Sequence, residues 1–191
     1  VALLADLGEE ARPLGGGHSL IPMMKLRLAT PQHLVDLAGI SDLKGIRAEG
    51  GDIVIGAMTT QHDIVGSDLL AAQVPILRET ALLVADPQVR YVVTPGGSVA
   101  NGDPGNDMPA VMLCLDATYH AAGKAGERRI PARQFYQGAY VTALEPGEIL
   151  TAVRIPVPPS GHGAAYEKLK RKVGDYATAA AAVVLTMRAG N

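Results

Sequence analysis

Leu14-Gly15-Gly16-Gly17-His18-Ser19-Leu20 is the first stretch of the chain whose residue types could do chemistry. Glycines have no Cβ, so backbone N–H groups can approach an oxyanion closely and take up positive φ, and successive amides form an anion-binding nest. If the segment after Ser19 is helical, its first amides and its dipole add attraction for phosphate. A pyrophosphate is the guest this composition suits. A second stretch, Thr94-Pro95-Gly96-Gly97-Ser98-Val99-Ala100-Asn101-Gly102-Asp103-Pro104-Gly105-Asn106-Asp107, adds hydroxyls, amides and two carboxylates to another glycine pair. Asp103 and Asp107 could accept hydrogen bonds from ribose or ribityl hydroxyls. On composition alone, a pair of ordinary turns remains an equal alternative.

The common nucleotide fingerprints do not fit. After Gly15 and Gly17 the third glycine of a Rossmann pattern would fall on Leu20, and neither glycine run leads into Gly-Lys-Ser or Gly-Lys-Thr. The five histidines, at 18, 33, 62, 120 and 162, lack the close pairing of a metal site, so no metal ligands are predicted. Asp103 and Asp107 as an acid/base pair compete with loop capping, which their proline and glycine neighbours favour, and no catalytic residue is assigned. Cys114, the single cysteine, lies in an apolar run and reads as a buried small hydrophobe. One thiol excludes an internal disulfide, a cysteine-based zinc site and an iron-sulfur cluster held by this chain alone. Met23 and Met24 read as core filler. Lys168, Lys170, Arg171 and Lys172 form a basic run, but one phenylalanine and no tryptophan leave no stacking platform for nucleic acid. The plain reading of that run is a solvated face.

The elements that must position these groups belong to a chain of 191 residues with 48% hydrophobic and 19% charged residues and a net charge of -2. Such a chain is long enough for one domain, or one plus part of another, and its charge suits neither a polyanion nor an acidic membrane surface. Val1 to Gly8 carries helical spacing and ends on a capping glycine, Ala11 to Leu14 is extended, and Leu20 to Leu28 contains a short helix. Leu34–Leu37, Leu43–Ala48 and Ile53–Ala57 read as strands, the last two around the turn at Gly50-Gly51-Asp52. Leu69 to Ala85 is predicted as one helix. Ala117–Ala121 is a strand, Pro131–Tyr136 a short helix, and Ile149–Val157 a strand. Tyr176 to Met187 reads as a strand without neighbours, and the apolar stretch Ala177 to Met187 is too short and too rich in alanine and threonine to cross a bilayer. Pro158 to Gly163 has the composition of a linker, which places a boundary near residue 160. Many short strands with interspersed helices predict an α+β fold. The opening shows no signal peptide, and both ends look cut from a longer chain.

The two glycine runs, with Ile21-Pro22-Met23-Met24-Lys25 after the first and Asp103-Pro104 to Asp107-Met108-Pro109 after the second, resemble the FAD-binding medium subunit of molybdenum hydroxylases. Within that family the carbon monoxide dehydrogenase group is the nearest likeness, and xanthine dehydrogenase flavin domains are relatives. The likeness extends to Gly147-Glu148-Ile149-Leu150, Arg154-Ile155-Pro156, Tyr166 to Arg171 and Gly174-Asp175-Tyr176-Ala177. The sequence departs from the family pattern at Gly15, where alanine is more usual.

The resemblance implies an α+β FAD-binding domain of the vanillyl-alcohol-oxidase (PCMH) type over 1–160, in subdomains of about 1–40 and 41–160. The start of a C-terminal domain would follow over 161–191. It implies that Leu14, Gly15, Gly16, Gly17, His18, Ser19 and Leu20 wrap the FAD pyrophosphate. Thr94, Gly96, Gly97 and Ser98 would form the opposing wall, with both runs offering main-chain amides. Asn101 and Asp107 would touch ribose, ribityl or adenine-side groups, and Leu150 and Val84 would line the cleft. Lys168 would lie near the flavin N1–C2=O edge and stabilise the reduced form, and Tyr176 would lie near a ring face. The implied partners are a molybdopterin large subunit and a [2Fe–2S] small subunit in a dimer of heterotrimers, cytoplasmic or peripheral to the inner face of the membrane. Electrons would pass from the partner's clusters through FAD to an external acceptor. A stand-alone flavin oxidase or reductase and a noncatalytic nucleotide-binding or assembly module are the alternatives.

Overall fold

The computed structural model describes residues 1–187, so residues 188–191 of the segment expected to open a C-terminal domain lie outside the described residues. The chain starts with helix α1 (Ala2–Leu7), which stops at Gly8 with φ 62. Strand β1 (Ala11–Leu14) leads into the first glycine run, helix α2 (Leu20–Lys25) follows, and β2 (His33–Asp36) returns parallel to β1, pairing Ala11 with His33 and Leu14 with Asp36. Leu4, Ala11, Leu37, Leu43, Met58 and Ile149 bury together under this pair.

A hairpin of β3 (Ile46–Glu49) and β4 (Asp52–Gly56) comes next. Its turn needs Gly50 and Gly51, both at positive φ (63 and 89), the backbone that matches strand twist. Helices α3 (Gln61–Gly66), α4 (Asp68–Gln73) and α5 (Pro75–Leu83) then cover the sheet. The single helix predicted over 69–85 is thus two. Pro75 has no N–H and forces Val74 out of the helical region, to φ -140 and ψ 63, so the turn breaks there and Pro75 restarts it at the first helical position.

Helix α6 (Pro87–Arg90) precedes the second glycine run, and a further helix, α7 (Pro95–Asn101), lies inside that run, which was expected to be a loop. The correction has a local cause. Thr94 accepts a hydrogen bond from the Gly97 N–H, Pro95 sits at the first helical position, and Gly102 closes the helix at φ 61, so strong caps at both ends overcome two poor helix formers. Helix α8 (Asp107–Cys114) is buried along most of its length, while Cys114 at its end is half-buried rather than enclosed.

Strands β5 (Thr118–Gly123) and β6 (Gly126–Pro131), helix α9 (Ala132–Phe135), the short pair β7 (Tyr136–Gly138) and β8 (Val141–Thr142), and β9 (Ile149–Pro156) complete the main body. The sheet runs β3-β4-β9-β5-β6, antiparallel throughout, with β9 inserted between β4 and β5. Ile53, Ile55, Val153 and Ile155 on the two central strands are fully covered, against Leu77, Met108, Val111 and Met112 from the helices.

The chain ends in a hairpin of β10 (Gly163–Leu169) and β11 (Ala179–Leu185). The strand expected to stand alone over 176–187 therefore has a neighbour, with Gly163 opposite Leu185 and Leu169 opposite Ala179. The hairpin packs on α5 and α8, and Tyr166 enters the main core at 1% exposure.

Candidate functional site

The first glycine run joins β1 to α2, and its conformation is fixed by what lies behind it. A Cβ on Gly16 would sit 2.2 Å from the Val92 carbonyl oxygen, and Gly17 holds φ +74. Gly16 admits no side chain without moving backbone, and at Gly17 any side chain would be strained by the left-handed φ. Gly15 differs: a Cβ there would meet Thr94 Oγ1 at 3.5 Å and Met58 Sδ at 3.6 Å, ordinary contacts. Those contacts also show how close the two runs come, with Gly97 Cα 4.0 Å from the same point. His18 folds back so that its Nδ1 lies 3.0 Å from the Gly16 carbonyl oxygen. Among the described residues no protein acceptor takes the N–H groups of Gly15, Gly16, Gly17, His18 or Ser19. The amide of Ile21 is engaged by Gly17.

The second run is the reverse case. Gly96 N–H donates to the Ala57 carbonyl at 3.1 Å, Gly97 N–H to Thr94 Oγ1 at 3.1 Å, and Ser98 N–H to the Thr94 carbonyl at 3.0 Å. The expectation that both runs offer main-chain amides to one diphosphate is corrected on this point. Gly96 serves packing instead, since a Cβ there would lie 2.5 Å from the Ala57 oxygen. What α7 presents to the space in front of it are the side chains of Ser98 and Asn101 and the small surface of Gly97.

That space is a cleft of about 580 Å³, lined by Leu14–Leu20, Val84, Thr94, Gly96–Ser98, Asn101, Asp107, Leu150, Lys168 and Tyr176, while Asp103 lies outside its lining and accepts from the Gly105 N–H. His18 and Gly97 share it. Leu150 is a buried side chain on β9, and Val84 follows α5, whose last carbonyls are held by two cations. Arg90 Nη1 donates to the Val84 oxygen at 2.9 Å and Lys170 Nζ to the Leu83 oxygen at 3.1 Å. The basic run is thus not simply a solvated face, because Lys170 caps a helix end and Lys168 is buried.

Asp107 and Lys168 form an ion pair of 2.9 Å with side chains 6% and 1% exposed, and Tyr166 Oη donates to the other oxygen of Asp107. Tyr176, more than half exposed, lies beside Gly105, whose N–H binds Asp103 Oδ1 at 2.9 Å. Burial first, and the Asp103 carboxylate second, push the Tyr176 phenol up to about 12, so it remains protonated and able to donate.

Several cleft residues escaped the sequence reading. Met23 and Met58 line the cleft, so Met23 is not core filler. Tyr140 projects from the β7–β8 connection at φ 60, held by its N–H on the Gly102 carbonyl. Asp175 lines the cleft too, and its buried Oδ2 accepts no hydrogen bond among the described residues, with Arg171 Nε at 3.5 Å. Glu148 also lines the cleft; its hydrogen bonds to the Arg128 guanidinium hold its carboxyl below the usual range despite burial. Tyr166, which lies behind the cleft and not in its lining, had one signal, its position two residues before Lys168 on a strand, which puts both on one face.

The sheet topology, the cleft and the engaged and unengaged amides define a dinucleotide-binding α+β protein without a Rossmann wind. The family described as the FAD binding domain in molybdopterin dehydrogenase matches residues 1–158, and the chain belongs to that family. It is 72% identical over 190 residues to the carbon monoxide dehydrogenase medium chain of Afipia carboxidovorans, covering 100% of this chain and 66% of that one. The carbon monoxide dehydrogenase medium chain of Hydrogenophaga pseudoflava is 51% identical over 191 residues, with the same shares. The solved structure of reconstituted CO dehydrogenase from Oligotropha carboxidovorans superposes with a TM-score of 0.97 at 72% identity, over 99% of this chain and 66% of that chain. The chain therefore spans 66% of the length of the medium chains it matches.

The residues present fit FAD. Residues Gly15–Ser19, whose amides are unengaged, line the cleft, as diphosphate binding requires, and the buried Lys168 ammonium has two N–H groups with no partner among the described residues. The cleft volume lies within the range of cofactor pockets, about 300–1,000 Å³. Among the described residues no helix is long and apolar enough to cross a membrane.

Proposed function

We propose that this chain is the FAD-binding part of the electron-transfer subunit of a molybdenum-containing dehydrogenase of the carbon monoxide dehydrogenase kind. Electrons arrive from [2Fe–2S] clusters on a small partner subunit and leave to an external acceptor, while substrate is oxidised on a molybdopterin large subunit. The assembly is a dimer of heterotrimers, cytoplasmic or peripheral to the inner face of the membrane. FAD, when bound, supplies the reversible storage of two electrons and their release singly or as a pair.

The chain's own residues bind and orient. Amides of Gly15 to Ser19 take the diphosphate oxygens, and Ser98 and Asn101 offer hydroxyl and amide groups to the sugar alcohols. Leu150 and Val84 would exclude water from apolar parts of the cofactor, Lys168 would supply a positive charge to it, and Tyr176 would close part of the cleft over it. The observation that carries this reading is the set of unengaged main-chain donors opposite a buried ammonium in one cleft.

The test is to purify the full-length chain and record its visible absorbance and its uptake of FAD. Flavin bands at one per chain, with two further subunits in the same complex, are the expected result. A chain with no flavin that takes up none would overturn the reading. Substrate oxidation by the chain alone would convert it to a stand-alone oxidase, and FAD that no partner can reduce would leave only a nucleotide-binding module.

A further inference from the structure

Asp107 was expected to touch the cofactor's hydroxyls, but both of its oxygens are occupied by the protein. Oδ1 accepts from Tyr166 Oη and Oδ2 from Lys168 Nζ at 2.9 Å. The donors come from β10 and the acceptor from the first turn of α8, so the three groups knit the terminal hairpin to the wall of the cleft. All three are buried, Tyr166 at 1% exposure and the side chains of Lys168 and Asp107 at 1% and 6%.

Removed from water, an isolated ammonium is costly, and Asp107 offsets that cost. It also determines what Lys168 shows to a ligand. Asp107 and Lys168 both line the cleft, so a bound molecule meets the ammonium together with the carboxylate that partly cancels its charge. The hydroxyl of Tyr166 draws on the same carboxylate through its own hydrogen bond and weakens that cancellation. Tyr166 lies outside the residues lining the cleft, so its influence on a ligand runs through Asp107.

We propose that Asp107 and Tyr166 are positioning residues that fix the Lys168 ammonium at the cleft and set how much of its positive charge reaches a bound flavin. The proposal rests on the cleft being the FAD site. Reduction of FAD adds electron density to the ring edge that a cation favours, so the charge delivered by Lys168 is read in the preference for reduced over oxidised FAD.

Two near-isosteric substitutions change the charge pattern while keeping the shapes. Asp107→Asn deletes the opposing charge, and Tyr166→Phe deletes the hydroxyl that relieves it. Lys168→Met removes the cation and leaves the carboxylate behind. The measurement is the ratio of dissociation constants for oxidised and reduced FAD in the full-length chain, by anaerobic titration. Relative to wild type, Asp107→Asn should raise the preference for reduced FAD about tenfold, Tyr166→Phe should lower it about threefold, and Lys168→Met should lower it about tenfold. Because Tyr166 acts through Asp107, adding Tyr166→Phe to Asp107→Asn should leave the ratio of the single Asn variant unchanged.

Shifts of the same sign for Asp107→Asn and Lys168→Met would overturn the proposal, as would an effect of Tyr166→Phe that persists in the Asn background. If the Asn variant does not fold, Tyr166→Phe against Lys168→Met still tests it, since a raised or unchanged ratio in Tyr166→Phe overturns it. Wild-type protein that binds no FAD would instead defeat the reading of the cleft, and the two failures are distinct.

Discussion

The two glycine runs lie side by side, yet they use their backbones in opposite ways. In Gly15 to Ser19 the amides have no protein acceptor among the described residues, Gly16 has no room for a Cβ against Val92, and Gly17 holds a left-handed backbone. In Gly96 to Ser98 the amides are engaged by Thr94 and Ala57, and Gly96 lets a helix approach β4's end. Similar composition therefore serves ligand binding in one run and packing in the other. What separates them is the accounting of donors, which glycine content does not reveal.

The largest test of that contrast is Gly16→Ala. Its Cβ would press on the Val92 carbonyl, and since backbone cannot rotate aside, about 3 kcal/mol of stability should go, with FAD uptake lost together with it. Denaturant midpoints and flavin absorbance of the same preparation check this. A sharper comparison pairs two hydroxyl deletions. Thr94→Val removes the helix cap of α7 and should cost the apo-protein about 1 kcal/mol. Ser19→Ala removes no cap bond, so apo stability should hold while FAD affinity falls about tenfold, the weight of one hydrogen bond to a charged oxygen. If both variants lost stability alone, the division between the runs would fail. The smallest effect is expected at Gly15→Ala, where the Cβ finds ordinary contacts and the backbone is not left-handed. A gain of about 0.5 kcal/mol, through a less flexible unfolded chain, should appear in thermal unfolding with FAD binding retained.

How much could be read from the chain follows the range of the interactions. The first run, Gly50-Gly51 and the α1 stop at Gly8 were legible because a glycine's freedom is a local property. The break at Pro75 and the Thr94-Pro95 helix start were also local, and a reading centred on hydrophobic spacing and glycine content passed over them. The residues expected at the cofactor line one cleft, and only a family likeness tied their distant motifs together. Nothing in the local sequence says that Asp107 meets Tyr166 and Lys168, which lie 59 and 61 positions away. The partners of a buried carboxylate are decided by tertiary packing.

The placement of β9 has a consequence for how the molecule is made. Asp52 on β4 is joined to Arg154 on β9 across 102 positions, and β9 is the strand on which β4 and β5 both depend for their inner hydrogen bonds. Loop closure of that span must precede sheet completion, so folding is slow and late. During synthesis the run Ile53-Val54-Ile55 emerges first and waits, with one backbone edge bare, until residues 149–156 leave the ribosome. In that interval the nascent chain is most open to misassembly, and chaperone capture of ribosome-bound fragments should fall sharply once β9 is released.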